Sequence, residues 1–458
     1  MSRELERIRQ LETRPWLPRT FGYLRLMGPG YLQSAMTLGG GTAFASIFAG
    51  AAFGYQLLWV APVAMLLGLI VLSAVAWQTL STGQEPFAAM KKHAGPFFAY
   101  GWAISGILSS IIWQFAQYAL ASAMLTMLAR NLGWEAETWV MGLVALGWCV
   151  LVAMLYGRAR RLVRSYELLL TLMVWFIVAC FAWVVIRTGI PHPEDLLKGI
   201  IPFNVPGESK GVAGLSLVVA GLAAAVGANM VFVYPYTLRR RQWGREHRRL
   251  ARLDLGWGMF VPYTIAASLM LIAAASIFHY QDPELFTGKK ISPVQAAEIL
   301  ATPERLGDTV GLWVFGLGIV AMALSSITMQ MLCSGFALSV MCNKPSEGWT
   351  YRLGMMLPAI GVLGAVFWNE VRLWMAVPTT IICGFLLPLV YVAFMIMQTR
   401  TNYLGADRPR GALGTWWMIG MGVSTLVLIV FLGWQAMTTL PGWLESIFPP
   451  ATEAPVTS

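Results

Sequence analysis

Charge is scarce in this chain. Only 12% of its 458 residues are Asp, Glu, Lys or Arg, about half the fraction that a soluble domain carries. Apolar runs of about 18 residues or more recur along the whole length, and 57% of the residues are hydrophobic, which excludes a soluble globular protein and indicates a polytopic membrane protein. Histidine is rarer still. The four, His93, His192, His247 and His279, fall in loops or at the ends of apolar runs. The five cysteines, Cys149, Cys180, Cys333, Cys342 and Cys383, are scattered without a close pair, which argues against a disulfide framework or a zinc site. There is no P-loop, no zinc signature and no nucleophile–base constellation, so no enzyme and no cofactor are expected.

Eleven membrane spans are predicted, at about 27–50, 55–78, 99–129, 137–156, 164–187, 211–238, 255–279, 309–340, 352–369, 373–397 and 414–437. The third and eighth are long for a simple span and should tilt or project beyond the bilayer. The expected organisation is an all-α membrane domain over 27–437, flanked by terminal segments 1–26 and 438–458. The loop at 280–308, with alternating charges and an AAEIL stretch, should carry a short surface helix. The first ~20 residues are polar and basic and show no signal peptide.

The net charge of +10 is distributed as a membrane protein requires rather than as a nucleic-acid binder would have it. With the N-terminus inside, 24 of the 32 Lys and Arg fall in cytoplasmic segments, including Arg239-Arg240-Arg241, and 8 in external ones. This positive-inside pattern places the N-terminus inside and the C-terminus outside. The expected partners are the lipid bilayer and a small solute.

The most informative residues that are present lie in the first span: Gly39, Gly40 and Gly41, followed by Thr42. Three consecutive glycines should break a helix at bilayer depth. A break in lipid is tolerable only where it is buried in protein or lines a cavity, and secondary transporters place their substrate sites at such breaks. A glycine-rich packing face is the structural alternative. A second break is expected in the sixth span around Val226-Gly227-Ala228-Asn229-Met230, ahead of Pro235, which lacks a backbone donor. Interrupted first and sixth spans suit two five-helix repeats of inverted topology, at about 27–187 and 211–397, with an extra helix at 414–437.

Residues 28–55, GPGYLQSAMTLGGGTAFASIFAGAAFGY, resemble the first helix and following loop of the Nramp metal-ion transporters. Those have a GPG start, an Asp-Pro-Gly-Asn break and a GGAxFGY end at matching spacing. LLWV (57–60), RLARLD (249–254), FGLGIVAMALSS (315–326) and FLLPL (385–389) continue the resemblance in order. It implies the LeuT-type fold of inverted five-helix repeats in a bacterial cytoplasmic membrane.

The family's functional residues do not carry over. Its metal-binding Asp and Asn align with Gly39 and Thr42, and the intervening Pro-Gly with Gly40-Gly41. Its helix 6 motif aligns with Ala228 to Val233, which puts Val231 at the sulfur ligand unless the register slips to Met230, and Val233 at the histidine. A second histidine becomes Leu238. Its acidic pair in helix 3 aligns with Gln114 and Gln117, and the glutamines of helices 8 and 10 with Leu324 and Leu386. Glu167 and Asp254 are acids in or bordering spans, both near cytoplasmic span ends. A bare divalent cation at the centre would therefore lack an anion, at a cost of tens of kcal/mol in the Born limit, and a proton relay is missing.

The candidate substrate-binding residues are Gly39, Gly40, Gly41, Thr42, Ala228, Asn229, Met230, Val231, Gln114 and Gln117, with no metal ligands assigned. Gln114 and Gln117 share a helix face. Loss of the Asp and Asn side chains and the added glycines should enlarge and neutralise the site, and the half-helix starting near Thr42 should favour an anionic group. The leading expectation is a carrier of a small neutral, zwitterionic or anionic solute. The alternatives are a divalent metal transporter using backbone and amide ligands, and a non-transporting receptor or regulator.

Overall fold

The structure, a computed structural model, describes residues 3–156, 160–286, 309–367 and 376–438. The helix expected within 280–308 and the tail after 438 lie mostly outside them. The chain is almost entirely helical. Two short helices, α1 (Arg3–Glu12) and α2 (Trp16–Leu24), lead into a broken pair, α3 (Pro29–Thr37) and α4 (Gly40–Phe53). Next come α5 (Val60–Thr82), α6 (Pro86–His93), α7 (Pro96–Asn131), α8 (Thr138–Leu155), α9 (Arg160–Thr188) and the short α10 (Pro193–Ile200). A two-residue hairpin, Glu208–Ser209 with Val212–Ala213, precedes a second interrupted pair, α11 (Gly214–Ala225) and α12 (Ala228–Arg240). The remainder comprises α13 (Arg248–Asp254), α14 (Val261–Ala274), α15 (Thr309–Met341), α16 (Trp349–Met356), α17 (Gly364–Phe367), α18 (Ala376–Gly384), α19 (Leu387–Thr399), α20 (Thr401–Leu404) and α21 (Gly411–Thr438).

Among the described residues, ten stretches are long and apolar enough to cross a membrane, and the bent pair α3–α4 makes an eleventh. The two spans expected to be long are the 36-residue α7 and the 33-residue α15. They pack along each other at the centre of the bundle, with α3, α9 and α12 against them. The pair α11–α12 is wholly enclosed by protein, whereas α8 and α21 turn much of their surface outward. That division follows the bilayer rule: interrupted backbone is sheltered, whereas uninterrupted apolar helices can face lipid.

Local sequence sets several boundaries. Pro86 and Pro96 start α6 and α7, where a missing N–H costs nothing. Glu85 caps α6 through hydrogen bonds from the N–H groups of Phe87 (3.2 Å) and Ala88 (2.6 Å). The helix after Asp254 widens into a π-helical turn over Leu255–Phe260 and another over Ala275–Gln281.

Candidate transport site

The first break is narrow. Leu38 (φ −73°, ψ 78°) and Gly39 (φ −137°, ψ −171°) leave helical geometry, and the axis turns by 56° between α3 and α4. Gly40, Gly41 and Thr42 already form the first turn of α4, so the non-helical stretch is shorter than the glycine run suggested. Side chains satisfy several of the backbone groups that the break frees. Gln117 on α7 accepts from Gly40 N–H through Oε1 at 2.9 Å and donates through Nε2 to Ser326 Oγ at 3.2 Å. Ser326 and Ser325 on α15 donate to the carbonyls of Met36 (3.0 Å) and Ala35 (3.2 Å), and the Thr42 hydroxyl donates to Thr37 O at 2.6 Å. These are the orphan carbonyls of the last turn of α3 and an orphan donor of the first turn of α4.

The second break covers Val226 and Gly227, both extended. This corrects the expectation for Ala228, Asn229 and Met230, which with Val231 are the opening turn of α12 rather than part of the break. Local capping explains the shift: Asn229 Oδ1 accepts from Met230 N–H at 2.9 Å, and Met230 Sδ accepts from Gly227 N–H at 3.3 Å. All four residues are buried. Pro235 sits inside α12 without ending it; its missing N–H leaves Val231 O without its intrahelical donor.

The two breaks meet through Thr37. Its hydroxyl lies 2.9 Å from both Ala224 O and Ala225 O, the last carbonyls of α11. The C-terminal ends of α3 and α11, each bearing about half a negative charge of helix dipole, therefore converge on two threonine hydroxyls. A narrow cleft of about 30 Å³ runs between α4, α11 and α14, with Thr42 and Ala224 among its lining residues. Its walls are largely apolar, with Ser46, Tyr263 and Ser268 as further polar groups.

The site is neutral but not enlarged. A Cβ on Gly39 would come within 2.3 Å of Gln117 Nε2 and 2.9 Å of Ser326 Oγ, and one on Gly41 within 2.6 Å of the Trp113 ring and 2.7 Å of Thr380 Oγ1. Longer side chains from α7, α15 and α18 fill the volume that glycine vacates. At the start of α4, Gln117 Oε1 occupies the Gly40 N–H. Gln114 does not reach this group; it donates to Ile327 O at 3.1 Å. Trp113, Thr380 and Gln330, whose Nε2 donates to Ser326 Oγ at 3.1 Å, belong to the surroundings of the break and were not anticipated.

The two span-embedded acids lie at the other end of α3. Asp254 accepts from Gly28 N–H at 3.0 Å and Gly30 N–H at 2.6 Å, and Glu167 lies 3.5 Å from Arg241 Nε. Arg241 also donates to Leu26 O at 2.5 Å. At 1.5 Å per residue this cluster stands about 13 Å from the break. It anchors the start of α3 and contributes no charge at the centre.

Comparison with known proteins places this arrangement. The sequence model of the family described as natural resistance-associated macrophage protein-like, Nramp, matches residues 30–437. The chain belongs to the Nramp family. It is 25% identical over 418 residues to the divalent metal cation transporter MntH of Mycobacterium leprae, covering 89% of this chain and 92% of that protein. MntH of Chromohalobacter salexigens is 25% identical over 423 residues, with 91% of each chain covered. A crystal structure of the Eremococcus coleocola manganese transporter superposes with a TM-score of 0.74 at 16% identity, covering 96% of this chain and 91% of that one. Mhp1, a nucleobase-cation-symport-1 family transporter, gives 0.57 at 14% identity over 93% and 94%. This Nramp chain thus has the LeuT-type fold, with two inverted five-helix repeats and interrupted first and sixth spans. It is an integral membrane protein and a secondary transporter, not an enzyme.

Proposed function

We propose that this Nramp protein carries a metal cation, bound at the breaks by neutral oxygens in place of carboxylates. One observation supports the reading: the carbonyl ends of α3 and α11 converge on the hydroxyls of Thr37 and Thr42, and Thr42 and Ala224 also line the cleft. Hydroxyl groups suit this role because each has lone pairs as well as a proton. In the resting arrangement they donate to the carbonyls. When a cation arrives they rotate, and hydroxyl and carbonyl oxygens face the ion together, as carbonyl rings do in ion filters. The names of similar proteins, divalent metal cation transporter and manganese transporter, supply the cargo class.

The charge balance limits how the ion is held. Two helix C-termini offer about one negative charge in sum, so a divalent ion is compensated in part and keeps some of its water. Mg²⁺, which dehydrates reluctantly and prefers carboxylate or phosphate oxygen, is the poorer cargo. With amides and hydroxyls at the breaks and no carboxylate or histidine among the described contacts there, the cation moves without a proton partner.

The test is Mn²⁺ uptake into proteoliposomes under an inside-negative potential, for the native protein and for Thr42→Val. Uptake above protein-free vesicles that falls several-fold in the variant supports the reading; no uptake from folded protein refutes it. The second reading, a small neutral or zwitterionic solute, is favoured by the neutrality of the site and becomes the account in that case.

A further inference from the structure

The N-terminal helices form a surface unrelated to the transport path. Helices α1 and α2 fold back on each other: Ile8 and Leu11 are buried, and Leu11 lies against Gly22. The ion pair of Arg9 with Glu246 (2.8 Å) ties the hairpin to the segment preceding α13. Between the two helices lies an open cleft of about 600 Å³ lined by Arg7, Arg14, Arg25, Gln10, Phe21 and Leu24, without an acidic side chain in its wall. The three arginines are exposed. Beside them Leu17 and Phe21 stand 56% and 65% exposed. Only Arg25 to Gly28 separate α2 from α3, so the hairpin sits where the bundle enters the bilayer.

We propose that this hairpin docks anionic phospholipid of the leaflet that it faces. The chemistry is complementary. Guanidinium groups hold phosphate oxygens in paired hydrogen bonds, and Phe21 and Leu17 enter the boundary between head groups and acyl chains, as the apolar face of an interfacial helix does. A water-facing surface would gain nothing from two large apolar side chains beside three convergent cations. Each arginine near an anionic surface strengthens attachment about fivefold, and salt screens that part within a Debye length.

The experiment uses the full chain in nanodiscs of phosphatidylcholine alone and of phosphatidylcholine with phosphatidylglycerol, followed by amide hydrogen exchange of residues 6–25. The expected result is exchange slowed about fivefold or more in the anionic discs, an effect that high salt weakens. The variant R7Q/R14Q/R25Q loses the protection, R7K/R14K/R25K keeps most of it, and R352Q, an arginine elsewhere, keeps all of it. Equal exchange in the two discs overturns the proposal, as does protection that survives in the triple Gln variant. Protection by soluble glycerol phosphate in neutral discs assigns the cleft to free phosphate and overturns the lipid assignment. Should the triple variant fail to fold, the native protein's response to lipid and salt decides alone.

Discussion

Alanine at Gly39 tests whether the break is a filled site. The backbone there (φ −137°, ψ −171°) is extended and open to any residue, so the cost is steric. The new Cβ falls 2.3 Å from Gln117 Nε2 and 2.9 Å from Ser326 Oγ. Overpacking of this kind costs about 1–3 kcal/mol. Gln117→Ala removes the acceptor of Gly40 N–H at a buried helix start, and an orphaned buried donor costs about 1–3 kcal/mol. The double variant should lose less than the sum, by about 1 kcal/mol, because the methyl group enters the space that the amide leaves. Thermal unfolding in one detergent at one scan rate measures this, since irreversible unfolding makes the midpoint rate-dependent. A chain of this size shifts by at most about 2 °C per kcal/mol. Strict additivity, or an unchanged midpoint for Gly39→Ala, would refute the claim that the two residues share the space.

Further outcomes are expected from the groups around this centre. Thr37→Val frees the two carbonyls at the end of α11 and should destabilise by about 1–3 kcal/mol, whereas Thr37→Ser retains most of the stability; thermal midpoints check both. Asp254→Ala leaves the N–H groups of Gly28 and Gly30 without their acceptor, a loss of about 2–5 kcal/mol, with faster amide exchange at both glycines. Asp407, on the loop after α20, should give a pH-dependent contribution. Burial alone would raise its pKa, but hydrogen bonds from Arg248 and Arg245 outweigh it and hold the carboxyl below its ordinary value. A depressed carboxyl stabilises above its unfolded pKa, so Asp407→Asn should cost about 0.5–1 kcal/mol at neutral pH, and the difference should vanish as pH falls through the folded pKa.

The backbone of this site was legible in the sequence, and its side-chain surroundings were largely not. The glycine run at 39–41 announces a break because consecutive glycines are poor helix formers. The composition cannot say that the helix restarts at Gly40, because that depends on the Gln117 carboxamide 77 residues away. The second break was read three residues too long for a similar reason: Asn229 and Met230 cap their own helix, and polar or flexible side chains near a glycine look the same whether they cap or interrupt. Gln117 was singled out with Gln114 on one helix face, and its carboxamide reaches the break. Gln114 carries the same sequence signal and bonds the α15 backbone instead. Trp113 and Thr380 carried no signal, since an aromatic or a threonine within an apolar span reads as packing, and Thr380 meets Gly41 only through the tertiary fold. Asp254 was visible as an acid near a span end, but its partners, Gly28 and Gly30, lie more than 220 residues earlier.

The most direct test of the central claim is to record Mn²⁺ and proton movement together in proteoliposomes under an imposed inside-negative potential, with one dye for the metal and one for internal pH. The account predicts metal uptake with internal pH following that of protein-free vesicles, because the breaks hold amides and hydroxyls where a relay would need carboxylate or histidine. Proton influx in step with the metal would contradict it, and so would the absence of any metal uptake by folded protein.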